Sequence, residues 1–278
     1  MASRTWFVTG TSTGFGRELT EQLLRRGDRV CATVRTRAVM DDLVAEYGAA
    51  LMVWELDVTD TPGVRRVVGD AFARAGRVDV VVSNAGYALF GAAEEVSDAQ
   101  IRAQIDTNLV GSIQVARAVI PHLRGQGGGR LMQISSMGGQ IAYPNLSLYH
   151  ATKWGIEGFF EAVTAEVAPF GIQVTLVEPG SARTDFAVRS AISGQPLEIY
   201  EQTPVGAMRR AAAAGEFPIP GDPGKMAAAI IETADAPIAP HRLTLGSDAY
   251  SEIGTALRDR LEQLEAQKDL ALSTDVSD

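Results

Sequence analysis

Cysteine is all but absent from this 278-residue chain: Cys31 stands alone, so no internal disulfide can form. It lies in the apolar run 29–34, which marks it as a packed thiol rather than a reactive one. Histidine is scarce as well. His122, His150 and His241 are scattered along the chain and, with one cysteine, give no metal-ligand spacing, so no metal is expected. Basic residues are outnumbered. With 25 Lys and Arg against 34 Asp and Glu the net charge is -9, which opposes the phosphate backbone of DNA or RNA, and no basic stripe offsets it. Long apolar runs are missing too: none reaches the length of a membrane span. Met1-Ala2-Ser3-Arg4 leads into the first apolar segment without a signal peptide, so a cytoplasmic protein is expected.

What is present is an alternation. Short apolar runs near Phe7, Val30, Met52, Val81, Met132 and Val174 are separated by helical patterns near Leu23, Leu43, Val67, Ile113 and Phe160. That is the rhythm of an α/β fold: a doubly wound parallel sheet with helices on both faces. No repeat or Ser/Gly/Pro-rich linker interrupts it, which predicts one domain over residues 1–278. After Thr184 the rhythm is lost over 185–225 and resumes near Ile230 and Leu243. The stretch 249–271 has the spacing of an amphipathic helix, with Leu257, Leu261 and Leu264 on one side, and is expected to pack onto the chain's own core.

Two local patterns carry chemistry. The apolar run Thr5–Thr9 enters Gly10-Thr11-Ser12-Thr13-Gly14-Phe15-Gly16 and then the helical pattern 17–26. Glycines let a backbone approach a ligand closely, and the unpaired N–H groups of a new helix face an anion. The spacing Gly-x-x-x-Gly-x-Gly is neither the Gly-x-Gly-x-x-Gly fingerprint nor a P-loop, and taken alone it fits a plain turn as well. The second pattern is Tyr149-His150-Ala151-Thr152-Lys153. A phenol and an amine four residues apart share a helix face, and an ammonium there is expected to lower the phenol pKa toward the range of a general acid or base.

In order along the chain, Thr9-Gly10-x-x-x-Gly14-x-Gly16, Asp57-Val58, Asn84-Ala85-Gly86, Asn108, Ile134-Ser135-Ser136, Tyr149-x-x-x-Lys153 and Pro179-Gly180 with Thr184 together make a set. This set resembles the short-chain dehydrogenase/reductase family in its single-domain Rossmann form, over nearly the whole chain. The opening and the second strand look like the retinol and 17β-hydroxysteroid dehydrogenase branch. Ser83 departs from the family pattern, which places a further Asn there.

The resemblance implies roles. Gly10, Gly14 and Gly16 would cradle a pyrophosphate, with Ser12 and Phe15 in the same cofactor loop. Asp57 and Val58 would meet adenine, and Asn84, Ala85 and Gly86 would pass behind the ribose. Pro179, Gly180 and Thr184 would hold the nicotinamide. Ser136 would bind the carbonyl oxygen of a small ketone, aldehyde or alcohol substrate, and Tyr149 would exchange the proton. Lys153 would tune Tyr149 and bind the ribose, and Asn108 would hold a water that refills the proton. Residues 185–225 would be a substrate lid, and a homodimer or homotetramer is expected.

The choice of cofactor turns on the end of the second strand, where an acid would accept hydrogen bonds from a 2′-hydroxyl and repel a 2′-phosphate. Val34 stands there, followed by Arg35 and Arg37, which favours NADP(H) over NAD(H). Two other functions compete with this reading. Gly10-Thr11-Ser12-Thr13-Gly14 matches the Gly-x-Ser-x-Gly elbow of α/β-hydrolases, but it follows the first strand, too early for an elbow. A non-catalytic cofactor-binding sensor or partner of the same fold would not need Ser136, Tyr149 and Lys153 together.

Overall fold

In the first strand, β1 (Thr5–Thr9), Trp6 and Val8 enter one core and Phe7 the other, all fully buried. Successive strand residues point to opposite faces, so an unbroken apolar run is what a sheet covered on both sides requires. The computed structural model describes residues 3–184 and 191–276. Seven strands form the main sheet: β1, β2 (Arg29–Val34), β3 (Leu51–Glu55), β4 (Val80–Ser83), β6 (Gly129–Ile134), β7 (Ile172–Pro179) and β9 (Arg242–Leu245). Their order is β3-β2-β1-β4-β6-β7-β9, and every pairing is parallel. The chain builds outward from β1 on one side, then crosses to lay β4 on the other. Ligands of such sheets bind where the order reverses, beyond the carboxyl ends of the strands.

Helices cover both faces. α1 (Gly14–Arg26), α2 (Asp41–Tyr47) and α8 (Pro223–Asp235) contribute Leu19, Leu23, Leu43, Ile230 and Ile231 to the Trp6 and Val8 core. α3 (Thr61–Ala75), α5 (Gly111–Gly125) and α6 (Ser147–Val167) contribute Val64, Phe72, Val119, Leu123, Ile156 and Phe160 to the Phe7 core. Cys31 is buried in that second core, and loss of solvent pushes its thiol up to about 12, so it is inert packing.

The remaining elements are α4 (Asp98–Ile105), α7 (Pro204–Ala213), α9 (Ser247–Glu265), α10 (Lys268–Leu272) and a small parallel pair, β5 (Ala88–Phe90) with β8 (Ala191–Ser193). Residues 185–190 of the expected lid lie outside the described residues. The rest of it is structured: β8 pairs with β5, and Arg209 of α7 forms an ion pair with the buried Glu95. Glu95 also accepts the Leu197 N–H at 2.8 Å. The irregular stretch ends earlier than expected, because Asp222 caps α8 by accepting from Gly224 and Lys225 N–H, placing Lys225 in the helix.

The C-terminal expectation needs correcting. The stretch is two helices, α9 and α10, and only its first turns pack, with Ala249 and Ile253 buried against Ile141. Leu257, Leu261 and Leu264 are 51%, 58% and 64% exposed. Their spacing does define one face, but past Ala256 it is Arg260, over the Trp154 ring at 5.2 Å, that touches the body of the protein, and the leucine face does not meet the core.

Candidate active site

Beyond β1 the chain turns sharply and is pinned to its neighbour: the Gly10 and Thr11 N–H groups both donate to the Thr33 carbonyl, at 3.0 and 3.1 Å. Gly14 has φ +56°, a left-handed conformation that glycine adopts without a side-chain clash. At Gly16 the reason is space, since a Cβ would lie 2.2 Å from the Gly10 carbonyl oxygen. The helix that follows is open at its start. Thr13 makes no side-chain capping bond and the first turn of α1 carries no acid. Its N–H groups and dipole therefore present a bare anion site.

A cavity of about 360 Å³ lies over that terminus, lined by Ser12, Thr13, Gly14, Arg17, Glu18, Arg183, Thr184 and Pro223. The chemistry fits a dinucleotide pyrophosphate. Arg17 and Arg183 were missed from the sequence. Arg17 sits one residue past Gly16, a position that could have flagged it, whereas Arg183 reaches the loop from 166 residues further on.

Behind the loop, Thr9 Oγ1 accepts the Asn84 and Ala85 N–H groups at 2.8 and 3.0 Å, and Asn84 Nδ2 donates to the Thr9 and Gly10 carbonyls at 2.9 and 3.1 Å. Asn84-Ala85-Gly86 thus braces the glycine loop from the adjacent strand. Asp57 closes its own turn, accepting from the Thr59 N–H and hydroxyl at 2.9 and 2.7 Å, while Val58 is buried. The two arginines after β2 separate. Arg37 is drawn back to β3, donating to the Val53 carbonyl at 2.9 Å, whereas Arg35 is exposed at the strand end. On the far side Gly180 N–H donates to Leu245 O at 2.7 Å and Asp248 takes the Ser181 N–H at 2.7 Å, fixing the turn from Pro179 toward Thr184.

Ser136 follows two residues after β6, Tyr149 and Lys153 sit one turn apart on α6, and the fold brings Ser136 up to the Tyr149 phenol. Burial raises the Tyr149 pKa and the neighbouring Ser136 hydroxyl pulls it back only in part. The expected lowering by Lys153 is not what dominates. The ammonium lies 5.7 Å from the Tyr149 ring centroid and donates to the Ile134 carbonyl at 3.0 Å, so it is held beside the phenol ring and desolvation of the phenolate wins. Lys153 is itself brought down to about 8 by burial, against the pull of Glu157. The Ser135 hydroxyl is buried and has no hydrogen-bond partner among the described residues.

Asn108 lies in a turn of π-helix, Asp106–Val110, between α4 and α5, a local distortion that often marks functional positions. Its side chain is fully engaged: Oδ1 accepts the Tyr87 N–H at 3.0 Å, and Nδ2 donates to the Tyr87 carbonyl at 2.9 Å and to Thr152 Oγ1 at 3.3 Å. The amide therefore clamps the chain after Gly86 onto α6. Its main-chain carbonyl accepts from the Ser112 hydroxyl at 2.7 Å. Among the described residues no group of three or more His, Cys, Asp or Glu could hold a metal ion, and no helix is long and apolar enough to cross a membrane.

Comparison with known proteins agrees with this geometry. Residues 4–192 match the family described as short chain dehydrogenase. Oxidoreductase BOA17 of Botryotinia fuckeliana is 37% identical over 276 residues, covering 98% of this chain and 99% of that protein. Oxidoreductase calM of Penicillium decumbens is 32% identical, covering 97% and 92%. A short-chain dehydrogenase from Streptomyces avermitilis has a crystal structure that superposes with a TM-score of 0.91 at 38% identity, over 99% of each chain. More distant, at 24% identity and TM-score 0.74, is a Burkholderia cenocepacia short chain dehydrogenase solved in complex with NADP, covering 95% of this chain and 97% of that one. The glycine loop, the braced Asn84 segment and the Ser136, Tyr149 and Lys153 cluster thus stand in a chain that belongs to the short-chain dehydrogenase family.

Proposed function

We propose that this protein interconverts a carbonyl and an alcohol with NADP(H), Tyr149 acting as general acid in reduction and, as phenolate, as general base in oxidation. The observation that carries the reading is the convergence of Ser136 and Tyr149 beside the buried Lys153, whose ammonium lies 5.7 Å from the phenol ring. When bound, the nicotinamide supplies or accepts the hydride. The protein does the rest. Ser136 donates to the oxygen on which charge develops, Tyr149 delivers the proton there, and Lys153 stabilises the phenolate left behind.

Gly10, Ser12, Gly14, Phe15 and Gly16 would hold the pyrophosphate at the bare start of α1, in a cavity that Arg183 also lines; the Arg17 guanidinium there is paired with Glu21 and Asp42. Asp57 and Val58 would meet the adenine, Asn84, Ala85 and Gly86 the ribose side, and Pro179, Gly180 and Thr184 the nicotinamide. The choice of NADP(H) rests on Arg35, exposed at the end of β2; the neighbouring acid, Glu55 of β3, is in register with Val34 and its carboxylate accepts the Arg37 N–H at 3.0 Å. The segment 185–222 would cover the substrate, supported by its pairing with β5. A homodimer or homotetramer is proposed by analogy with the family alone, and light scattering tests the assembly.

Fluorescence titration with NADPH and NADH, followed by a panel of ketones, aldehydes and secondary alcohols, tests the proposal. Tighter binding of NADPH and turnover of at least one panel member are expected. Failure to bind either nucleotide would overturn it.

A further inference from the structure

The one titratable ring in the catalytic helix that the proposed reaction does not use is His150. It is buried, next in sequence to Tyr149, and hydrogen-bonded at both ring nitrogens. The Tyr143 N–H lies 2.9 Å from Nε2, and the Gly138 carbonyl lies 2.9 Å from Nδ1. An amide N–H can only donate and a carbonyl can only accept, so these partners fix the tautomer: Nδ1 carries the proton and Nε2 accepts. Protonating Nε2 would set one N–H against another. Burial also lowers the pKa of the ring, so the neutral form is held.

Both partners belong to the segment that carries Ser136. Gly138 has a second bond that matters more: its N–H donates to Ser136 Oγ at 3.0 Å. That bond occupies one acceptor site of the hydroxyl and limits where the Ser136 proton can point. One residue, Gly138, therefore reads the position of the imidazole through its carbonyl and sets the serine hydroxyl through its N–H. The fit is close, because a Cβ on Gly138 would lie 2.9 Å from His150 Nδ1 and 3.3 Å from Ser136 Oγ. Along α6, His150 follows Tyr149, the phenol that Ser136 neighbours. The rings of His150 and Tyr149 pack edge to face at 5.8 Å, and the Tyr143 ring lies 5.7 Å away on the other side.

We propose that His150 is a positioning residue: its neutral imidazole locks the loop 136–143 to α6 and so holds the Ser136 hydroxyl in register with Tyr149. This rests on the proposed function for its kinetic consequence. Its structural content does not. A phenyl ring at 150 keeps the approximate shape but leaves the Gly138 carbonyl and the Tyr143 N–H without partners.

The test is a double-mutant cycle of H150F and S136A, read as kcat, KM and NADPH affinity. H150F should lower kcat by about 10- to 100-fold, the scale of one or two lost buried hydrogen bonds, with NADPH affinity within about twofold of the unmutated protein. In the S136A background H150F should cost less than about threefold, because the group it positions is already gone. Equal effects in both backgrounds, or a parallel loss of NADPH affinity, would overturn the proposal in favour of a general packing role. A second arm needs neither a substrate nor a variant. Long-range 1H–15N NMR of the unmutated protein should show His150 as the neutral Nδ1–H tautomer, and an Nε2–H or charged ring near neutral pH would overturn it. Absence of turnover with every panel substrate would count against the proposed function, leaving the tautomer to decide this inference.

Discussion

Replacing Arg242 by Met should expose how strongly the edge of the sheet depends on one cation. Arg242 opens β9 and its guanidinium meets three carboxylates: Glu157 of α6, Glu178 of β7 at 2.6 Å and Glu161 of α6 at 2.5 Å. Glu157 and Glu178 are almost wholly buried, with side chains 7% and 2% exposed, whereas Glu161 is 57% exposed. Breaking a buried pair from one side typically costs about 3–5 kcal/mol, because a charge is left without its partner. The lower end applies here. Arg242 is itself a third exposed, and Glu178 keeps Gln140 Nε2 and Thr244 Oγ1, both at 3.1 Å. At roughly 2–4 °C per kcal/mol for a domain somewhat smaller than this one, a loss of about 3 kcal/mol lowers Tm by about 6–12 °C.

The pH dependence gives a second reading. Burial already raises the Glu157 pKa in the folded protein, with Glu178 adding to it and Ser135 and Arg242 opposing it; removing Arg242 raises it further. An acid whose folded pKa exceeds its unfolded value destabilises the fold above the unfolded value, and that penalty is relieved as pH falls through the folded pKa. The Tm gap between Arg242→Met and the unmutated protein should therefore narrow from about pH 8 toward about pH 5.5. Calorimetry over that range is the assay, with Glu161→Gln as a comparison expected to shift stability by less than about 1 kcal/mol. A Tm unchanged within about 1 °C near pH 8, or a gap that widens in acid, would refute the reasoning.

Tyr149→Phe keeps the ring and removes the proton donor, so NADPH binding should survive while turnover falls by about 10²–10⁴-fold; near-normal turnover by a folded variant would remove the tyrosine from the mechanism. Lys153→Met should lower both turnover and NADPH affinity in the same assays, since the charge beside Tyr149 and the proposed ribose contact go together. Arg35→Asp should weaken NADPH strongly and NADH little, because it replaces a phosphate-pairing cation with an anion, and parallel titrations that show no change would discard Arg35 as the 2′-phosphate reader. If 185–222 closes over substrate, limited proteolysis mapped by mass spectrometry should cut there first and lose those cuts when cofactor and substrate are both bound.

The order of strands and helices was legible because it is written in local chemistry. Apolar runs such as Trp6-Phe7-Val8 must bury both faces, and the glycines at 14 and 16 answer to a positive φ and to a 2.2 Å approach of backbone, needs that no other residue meets. The one-turn spacing of Tyr149 and Lys153 gave their shared face for the same reason. Spacing does not report depth. Whether an amine lowers a nearby phenol pKa depends on how far both have left water, and with Lys153 bonded to Ile134 and the phenol buried, desolvation outweighs the charge.

What stayed hidden joins residues far apart in the chain. Arg183 reaches the glycine loop, Arg242 collects Glu157 and Glu178 across 85 and 64 positions, and His150 bridges Gly138 and Tyr143. In each case the sequence shows an ordinary charged or polar residue whose partner is chosen by the sheet order. The leucine stripe of α9 fails in the opposite sense. Its periodicity states correctly that one face is apolar, but a pattern along one helix holds no term for the surface it will meet, and here the leucine face does not meet the core. The same limit explains Asn108. A polar residue inside a helical pattern marks a place where the backbone ladder can be broken, and the structure supplies the break as a π turn, but only the Tyr87 main chain arriving from the adjacent strand decides that the amide acts there as a clamp.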